Sequence, residues 1–176
     1  PTPVTAFMAA AVKVTAFGAI LRIFYVVFGG LRWDWQPMLW VIAILTMLIG
    51  AIVAITQTDV KRMLAYSSIA QAGFILLGVI AASPQGLAAS LFYLIAYAFT
   101  TLGTFGVVML VRDSTGEATH LSKWAGLGRR SPVLATVFAI FMLSLAGIPL
   151  TTGFVAKFAV FSSAIAAGAT PLVIVA

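Results

Sequence analysis

Two lysines stand where a cation is expensive. Lys13 lies nine residues into an apolar run from about Val4 to Phe28, or ~13 Å along a helix axis. Lys157 lies eight residues past Pro149, inside a second run from Val133 to about Ala166. An ammonium at the centre of a membrane helix costs ~2.5–3.5 kcal/mol on insertion scales. Burial disfavours the charged form of an amine, so a desolvated lysine can exchange its proton near neutral pH, whereas a nearby carboxylate favours the charged form. Alternation between those surroundings is a transport step. The chemistry these two residues point to is proton relay.

The second run carries its own signal. As one continuous helix it would be ~51 Å long, against a bilayer core of ~30 Å. Within Ser144-Leu-Ala-Gly-Ile-Pro-Leu-Thr-Thr-Gly-Phe-Val-Ala-Lys-Phe158, Gly147 and Pro149 remove backbone rigidity and one N–H donor, and Thr151, Thr152 and Gly153 follow at once. A break or kink is expected here. Broken helices exist at membrane depth only where protein or a watery cavity covers the freed backbone groups. A break beside a buried cation marks an ion path. Tyr66, Ser68 and Gln71 are further polar candidates. Residues 64, 68, 71 and 75 share one helical face, so Ser68 and Gln71 point into a bundle, either as interhelical hydrogen bonds or as part of a hydrated path. His120, alone in a polar loop, is expected to be a solvated side chain.

Composition sets the class. The 176 residues are 62% hydrophobic and 8% charged, with no cysteine, one histidine and four acids. This is the composition of a polytopic membrane protein. It excludes a disulfide framework, a thiolate metal site and a cysteine-ligated cluster, and it offers too few ligands for a metal cage. The net charge of +6 does not point to nucleic acid, because the cations are not clustered on one polar face.

The elements that must position the lysines follow from the apolar runs. Five spans are expected: Val4 to Phe28, Met38 to Thr56, Lys61 to Ala82, Leu87 to Val111, and the broken Val133 to Ala166. Gly168, Thr170 and Pro171 then turn the chain into the start of a sixth. Residues 29–37 read as a loop, with Trp33 and Trp35 at a headgroup boundary. Asp59 is placed to cap the third helix. Ser83-Pro-Gln-Gly86 is a tight turn. Thr100, Thr101, Gly103, Thr104 and Gly106 suit close helix packing. The loops at 57–62 and 112–131 hold Lys61, Arg62, Arg112, Lys123, Arg129 and Arg130, and the opposite side holds Arg32 with Arg22 close by. The positive-inside rule makes the first two loops cytoplasmic. A start at Pro1 and an end within an apolar segment give the expectation of an internal piece of a longer protein.

Three motifs carry a resemblance. The stretch from Thr2 to Arg22, the stretch Asp59-Val-Lys-Arg-Met-Leu-Ala-Tyr-Ser-Ser-Ile-Ala-Gln-Ala-Gly-Phe74 and the stretch from Ser144 to Phe158 resemble, in that order, the eighth helix, the start of the tenth and the broken twelfth helix of N-type antiporter-like subunits of bacterial NADH-quinone oxidoreductase, respiratory complex I. The resemblance implies an all-α membrane fold of fourteen helices with inverted five-helix repeats, of which residues 1–176 would form one membrane piece spanning helices eight to thirteen. It implies proton translocation coupled to NADH oxidation and quinone reduction in the bacterial inner membrane. Lys13 would be the central channel lysine and Lys157 the distal one, with Tyr66, Ser68, Gln71, Pro149, Thr151 and Thr152 supporting the path. A lysine–glutamate pair would lie upstream. Flavin mononucleotide, iron–sulfur clusters and quinone would belong to other subunits, leaving no cofactor in this chain. The partners implied are the lipid bilayer and the other membrane subunits, the M-type among them. The family often has histidine where this chain has Gln71, which does not titrate near pH 7, so a water-mediated path is expected there.

Alternatives are an M-type subunit, a subunit of a multisubunit sodium/proton antiporter, or a membrane scaffold whose lysines only pair and pack. The M type usually carries glutamate where this chain has Lys157.

Overall fold

The computed structural model describes residues 2–113 and 116–176. Pro1 lies outside the described residues, as do 114 and 115 of the expected cytoplasmic loop. Seven helices matter for the site. They are α1 (Thr2–Val27), α2 (Arg32–Ile55), α3 (Val60–Ile80), α4 (Pro84–Leu110), α5 (Pro132–Ala146), α6 (Thr152–Ala166) and α7 (Thr170–Val175). The first four are long and apolar enough to cross a membrane. With 15 residues each, α5 and α6 are only about 22 Å long. Neither alone crosses a ~30 Å core. The expected broken span is two half-helices.

Local chemistry explains most boundaries. Asp59 caps α3, its Oδ1 accepting from the amides of Lys61 (2.9 Å) and Arg62 (3.1 Å). Ser83 caps α4 by accepting from the Gly86 amide at 3.0 Å, with Pro84 in the first turn, where a missing N–H is harmless. Two boundaries differ from expectation: the fourth span's helix starts at Pro84 rather than near Leu87, so the expected turn at Ser83–Gly86 is its capped first turn, and the second span differs more. The helix of the second span starts at Arg32, not near Met38, after a 3-10 turn over Gly29–Leu31. Pro37 sits inside its second turn. Trp35, expected at the headgroup boundary, is buried; its ring packs 4.7 Å from Phe24 and its Nε1 donates to the Phe28 carbonyl at 3.0 Å. Packing against α1 outweighs the loop-like composition of residues 29–37.

The bundle closes on small residues. In lipid, apolar burial gives little driving force between helices, so van der Waals contact decides. A Cβ added at Gly50 would meet the backbone of Ala70, and one at Gly73 would meet Met47 and the Ala43 carbonyl, so α2 and α3 approach closely. A Cβ at Gly103 would strike the Phe141 ring, which seats α5 on α4.

The polar loop after α4 is built rather than open. Arg112 pairs with Glu117 and Asp113 with Gly116 in an antiparallel hairpin, followed by a 3-10 turn at Leu121–Trp124 and a helical turn at Leu127–Arg130. It lies on the loop before α3: the Val60 amide donates to the Thr119 carbonyl (2.8 Å) and the Leu121 amide to the Thr58 carbonyl (2.9 Å). Lys61 forms an ion pair with Glu117, which also accepts from the Thr2 hydroxyl. The two basic loops therefore share one face, as the alternation of spans requires. His120 is exposed and caps its own 3-10 turn, with Nδ1 accepting from the Ser122 amide at 3.3 Å.

Candidate proton path

Lys13 sits directly after a π-helical segment, Met8–Val12, in the otherwise α-helical α1. Such wide turns occur mostly as single bulges inside α-helices, frequently at functional sites, and nothing in the sequence pattern announced this one. The half-buried ammonium donates to the Ser68 carbonyl and the Ser68 hydroxyl, each at 2.5 Å, and to the Tyr97 hydroxyl at 3.2 Å. It also lies 4.8 Å from the Tyr97 ring centroid. The Nζ of Lys13 is thus held by neutral oxygens from α3 and α4. Among the described residues no carboxylate forms an ion pair with it.

The polar line continues towards the break. Gln71 is buried on α3; its Oε1 accepts from the Tyr93 hydroxyl and its Nε2 donates to the Leu145 carbonyl at 2.9 Å. Gln71 therefore ties α3 and α4 to the last turn of α5. The helix stops there because Gly147 adopts φ +82°, with its amide donating to the Ser144 carbonyl and the Ile148 amide to the Leu143 carbonyl, each at 3.0 Å. This is a Schellman ending, for which glycine is favoured. Pro149 is exposed and lies beyond the stop, so Gly147 ends the helix.

Beyond the break, α6 overlaps the end of α5. A Cβ at Gly153 would overlap the Ser144 carbonyl oxygen, so only glycine allows the approach. The Gly153 amide donates to the Ser144 hydroxyl at 3.2 Å, and the Ser144 and Thr152 hydroxyls lie 3.3 Å apart. Thr151 caps α6, accepting from the Phe154 amide at 3.3 Å and donating to the Ile148 carbonyl at 2.7 Å. Lys157 donates to the Ala146 carbonyl at 3.0 Å, an oxygen freed by the break, and sits 4.5 Å from the Phe74 ring centroid. The negative end of the α5 dipole faces this cation.

The sequence-derived residues Lys13, Ser68, Gln71, Thr151, Thr152 and Lys157 thus fall on α1, α3 and the break with its following half-helix. Tyr66 is half-buried and stands outside this line of hydrogen bonds. Tyr93 and Tyr97 were missed. The signal was present: residues 93, 97, 100 and 104 fall on one face of α4, and all four are buried.

A family described as NADH:quinone oxidoreductase/Mrp antiporter, transmembrane, matches residues 1–176. The chain belongs to this family. It is 69% identical over 175 residues to NADH-quinone oxidoreductase subunit N 3 of Streptomyces griseus, covering 99% of the chain and 32% of that protein. It is 66% identical to subunit N of Rhodococcus opacus, with the same coverage. The chain spans about a third of the length of these curated relatives. Among solved structures, respiratory complex I from Thermus thermophilus with bound aureothin aligns at 35% identity and a TM-score of 0.82, over 99% of this chain and 38% of that one. An archaeal membrane-bound sulfane sulfur reductase aligns at 28% identity and a TM-score of 0.85, over 99% and 36%. The family fold is the antiporter-like membrane fold expected from the three motifs. Lys13 and Lys157 sit on two of its helices, one continuous and one broken.

Proposed function

We propose that this chain is the stretch of an antiporter-like membrane-arm subunit of NADH-quinone oxidoreductase that relays protons between Lys13 and the broken span, as part of a complex that couples NADH oxidation and quinone reduction to proton pumping. On this reading residues 1–176 correspond to helices eight to thirteen of a fourteen-helix subunit in the bacterial inner membrane, with the basic loops cytoplasmic. Other membrane subunits, the M-type among them, are its partners, and flavin, iron–sulfur clusters and quinone are bound elsewhere in the complex.

The observation that carries the reading is the setting of the Lys13 ammonium. Its hydrogen bonds run to a carbonyl and two hydroxyls. A structural ion pair would hold a fixed proton, because the carboxylate favours the charged form. Neutral oxygens stabilise the ammonium less, so a charge arriving nearby can shift the proton onward. Lys157, held by one carbonyl and an aromatic face, suits the same chemistry at the other end.

The test uses the whole complex. Lys13→Met keeps the stem but removes the titrating group, and Lys13→Arg keeps the charge but does not release its proton at accessible pH. Both assembled variants are expected to lose quinone reductase turnover and proton uptake in sealed vesicles. Normal turnover and pumping in Lys13→Met would remove this residue from the mechanism. Failed assembly of Lys13→Met with normal activity in Lys13→Arg would make Lys13 a structural cation. Uptake that tracks sodium would move the chain to the antiporter branch of the family.

A further inference from the structure

Two small cavities lie along the polar line, each of about 10 Å³. That is at the lower limit for one water molecule. The first is on the Lys13 side and carries Ser67, Ser68, Thr101 and Thr104. The second is on the side of the break and carries Gln71, Tyr93, Thr100 and Ser144. Two residues line both: Tyr97 and Leu145.

We propose that Tyr97 and Leu145 form the gate between these two single-water compartments, with the Tyr97 hydroxyl passing the proton and Leu145 blocking a continuous water thread. The inference rests on the proton-relay reading above and names the place where that relay is controlled.

Tyr97 has the connectivity for this. Its oxygen accepts from Lys13 at 3.2 Å, and no other hydrogen bond within the described residues claims its own proton. A hydroxyl is both donor and acceptor. When Lys13 gives a proton to the Tyr97 oxygen, the phenol proton leaves to a water in the second compartment, and the phenol is neutral before and after. Lys13 ends as the free amine and the water as hydronium, which passes its charge towards Ser144 and the break. The threonines on the same helix are tied differently. Thr100 donates to the Ala96 carbonyl and Thr104 to the Thr100 carbonyl, each at 2.7 Å. Their hydrogens are committed and their lone pairs remain available to water.

Leu145 offers no such route. Its side chain packs against the buried cores on both sides of the line. Its carbonyl is held by Gln71, in the last turn of α5 before the break. Displacement of the α5 end would therefore carry Leu145 with it and open or close the partition.

The experiment uses the assembled complex in sealed vesicles, with Tyr97→Phe, Leu145→Ala and the double variant beside Lys13→Met. Tyr97→Phe keeps the ring and its packing while removing the hydroxyl. It is expected to assemble and to lose most coupled proton uptake. Leu145→Ala opens the partition, so the double variant is expected to regain uptake through water. Rescue by a second, cavity-making substitution is not what a merely structural tyrosine would show. Normal uptake in Tyr97→Phe, with Lys13→Met impaired, would overturn the gate and leave the relay standing. Impaired Tyr97→Phe without rescue in an assembled double variant would also overturn it. Normal uptake in Lys13→Met would instead overturn the reading on which the gate rests.

Discussion

The two lysines are held by opposite means. Lys13 stands on an unbroken helix, and its cradle is brought by neighbours: the Ser68 hydroxyl and carbonyl from α3 and the Tyr97 hydroxyl from α4. Lys157 stands past a break in the helix, and its acceptor is the Ala146 carbonyl that the break releases. One site draws on two hydroxyls and one helical carbonyl; the other draws on a carbonyl freed at a helix end. A side-chain cradle tolerates a change in the chain between its helices but not a change in its hydroxyls. A backbone cradle is the reverse, since it depends on the geometry of two half-helix ends and on the glycines that permit it. Lipid allows unwound backbone only where protein or water covers it. The overlap of α6 with α5 is therefore as much a part of the Lys157 site as the lysine itself.

The sharpest way to break the comparison is Gly153→Ala. The added Cβ would overlap the Ser144 carbonyl oxygen, a backbone atom that cannot rotate away. Overpacking of this kind costs about 1–3 kcal/mol and occasionally more. The thermal stability of the purified complex and its yield are expected to fall, with the loss centred on the Lys157 half. Gly106→Ala is the control. A Cβ there meets nothing within 4 Å, so stability should hold or rise by about 0.5–1 kcal/mol as glycine leaves a helix interior. Equal behaviour of the two variants would show that the half-helices do not depend on close contact at Gly153.

Next comes the stop signal itself. Gly147 holds φ +82°, and a Cβ there would approach the Lys157 Cδ at 2.8 Å. A non-glycine residue in this conformation costs roughly 1–2 kcal/mol. Gly147→Ala is expected to destabilise the complex by about that amount and to shift the Lys157 ammonium. Pro149 is exposed and lies past the last helical residue. Pro149→Ala is therefore expected to change stability by less than about 0.5 kcal/mol and to leave the break in place. Paired melting curves and proton-uptake assays check both. A larger loss for Pro149→Ala than for Gly147→Ala would make the proline the breaker.

How much of this the sequence disclosed depends on whether the deciding interaction was local. The lysines were legible because charge in an apolar run is costly wherever it sits. The break was legible because Gly147 acts on its own backbone, and the capping role of Asp59 is local in the same sense; Ser83, expected in a tight turn, is a cap not anticipated from the sequence. The face shared by Ser68 and Gln71 followed from helical periodicity. The tyrosines were legible only as part of a shared face of α4, not as hydrogen-bonding groups. An aromatic side chain in an apolar helix reads as packing, and only the approach of α1 to α4 turns the Tyr97 hydroxyl into an acceptor for Lys13. The π-helical turns before Lys13 and at Ile23–Val27 leave no mark in composition. Residues 29–37 misled for a related reason, because tryptophans beside glycines look interfacial until Trp35 finds Phe24. The loop sharing a face with Asp59 was anticipated from charge, but its hairpin and its hold on Thr2 were not.

That hold gives the smallest effect and separates the two lysines once more. Thr2, Glu117 and Lys61 join the start of α1, the polar loop and the start of α3. Lys13 rides on α1 and Lys157 does not, so loosening this clasp should be felt on the Lys13 side alone. Hydrogen bonds from the Lys61 ammonium and the Thr2 hydroxyl hold the Glu117 carboxyl below its ordinary pKa. A carboxylate depressed in the folded state contributes its stability above the unfolded value, near about 4.3, and loses it as pH falls through the lower folded value. Acidification through that depressed folded value should therefore release the clasp, whereas neutral conditions keep it intact. Glu117→Gln mimics the protonated state at neutral pH. Ion pairs within reach of solvent contribute little, and both partners here are only half-buried, so assembly and turnover should persist. Hydrogen exchange in the assembled complex should rise at residues 2–7 and in the loop, with no change at residues 152–166. Unchanged exchange at residues 2–7 would show that α1 is held by its packing on α4 and needs no clasp.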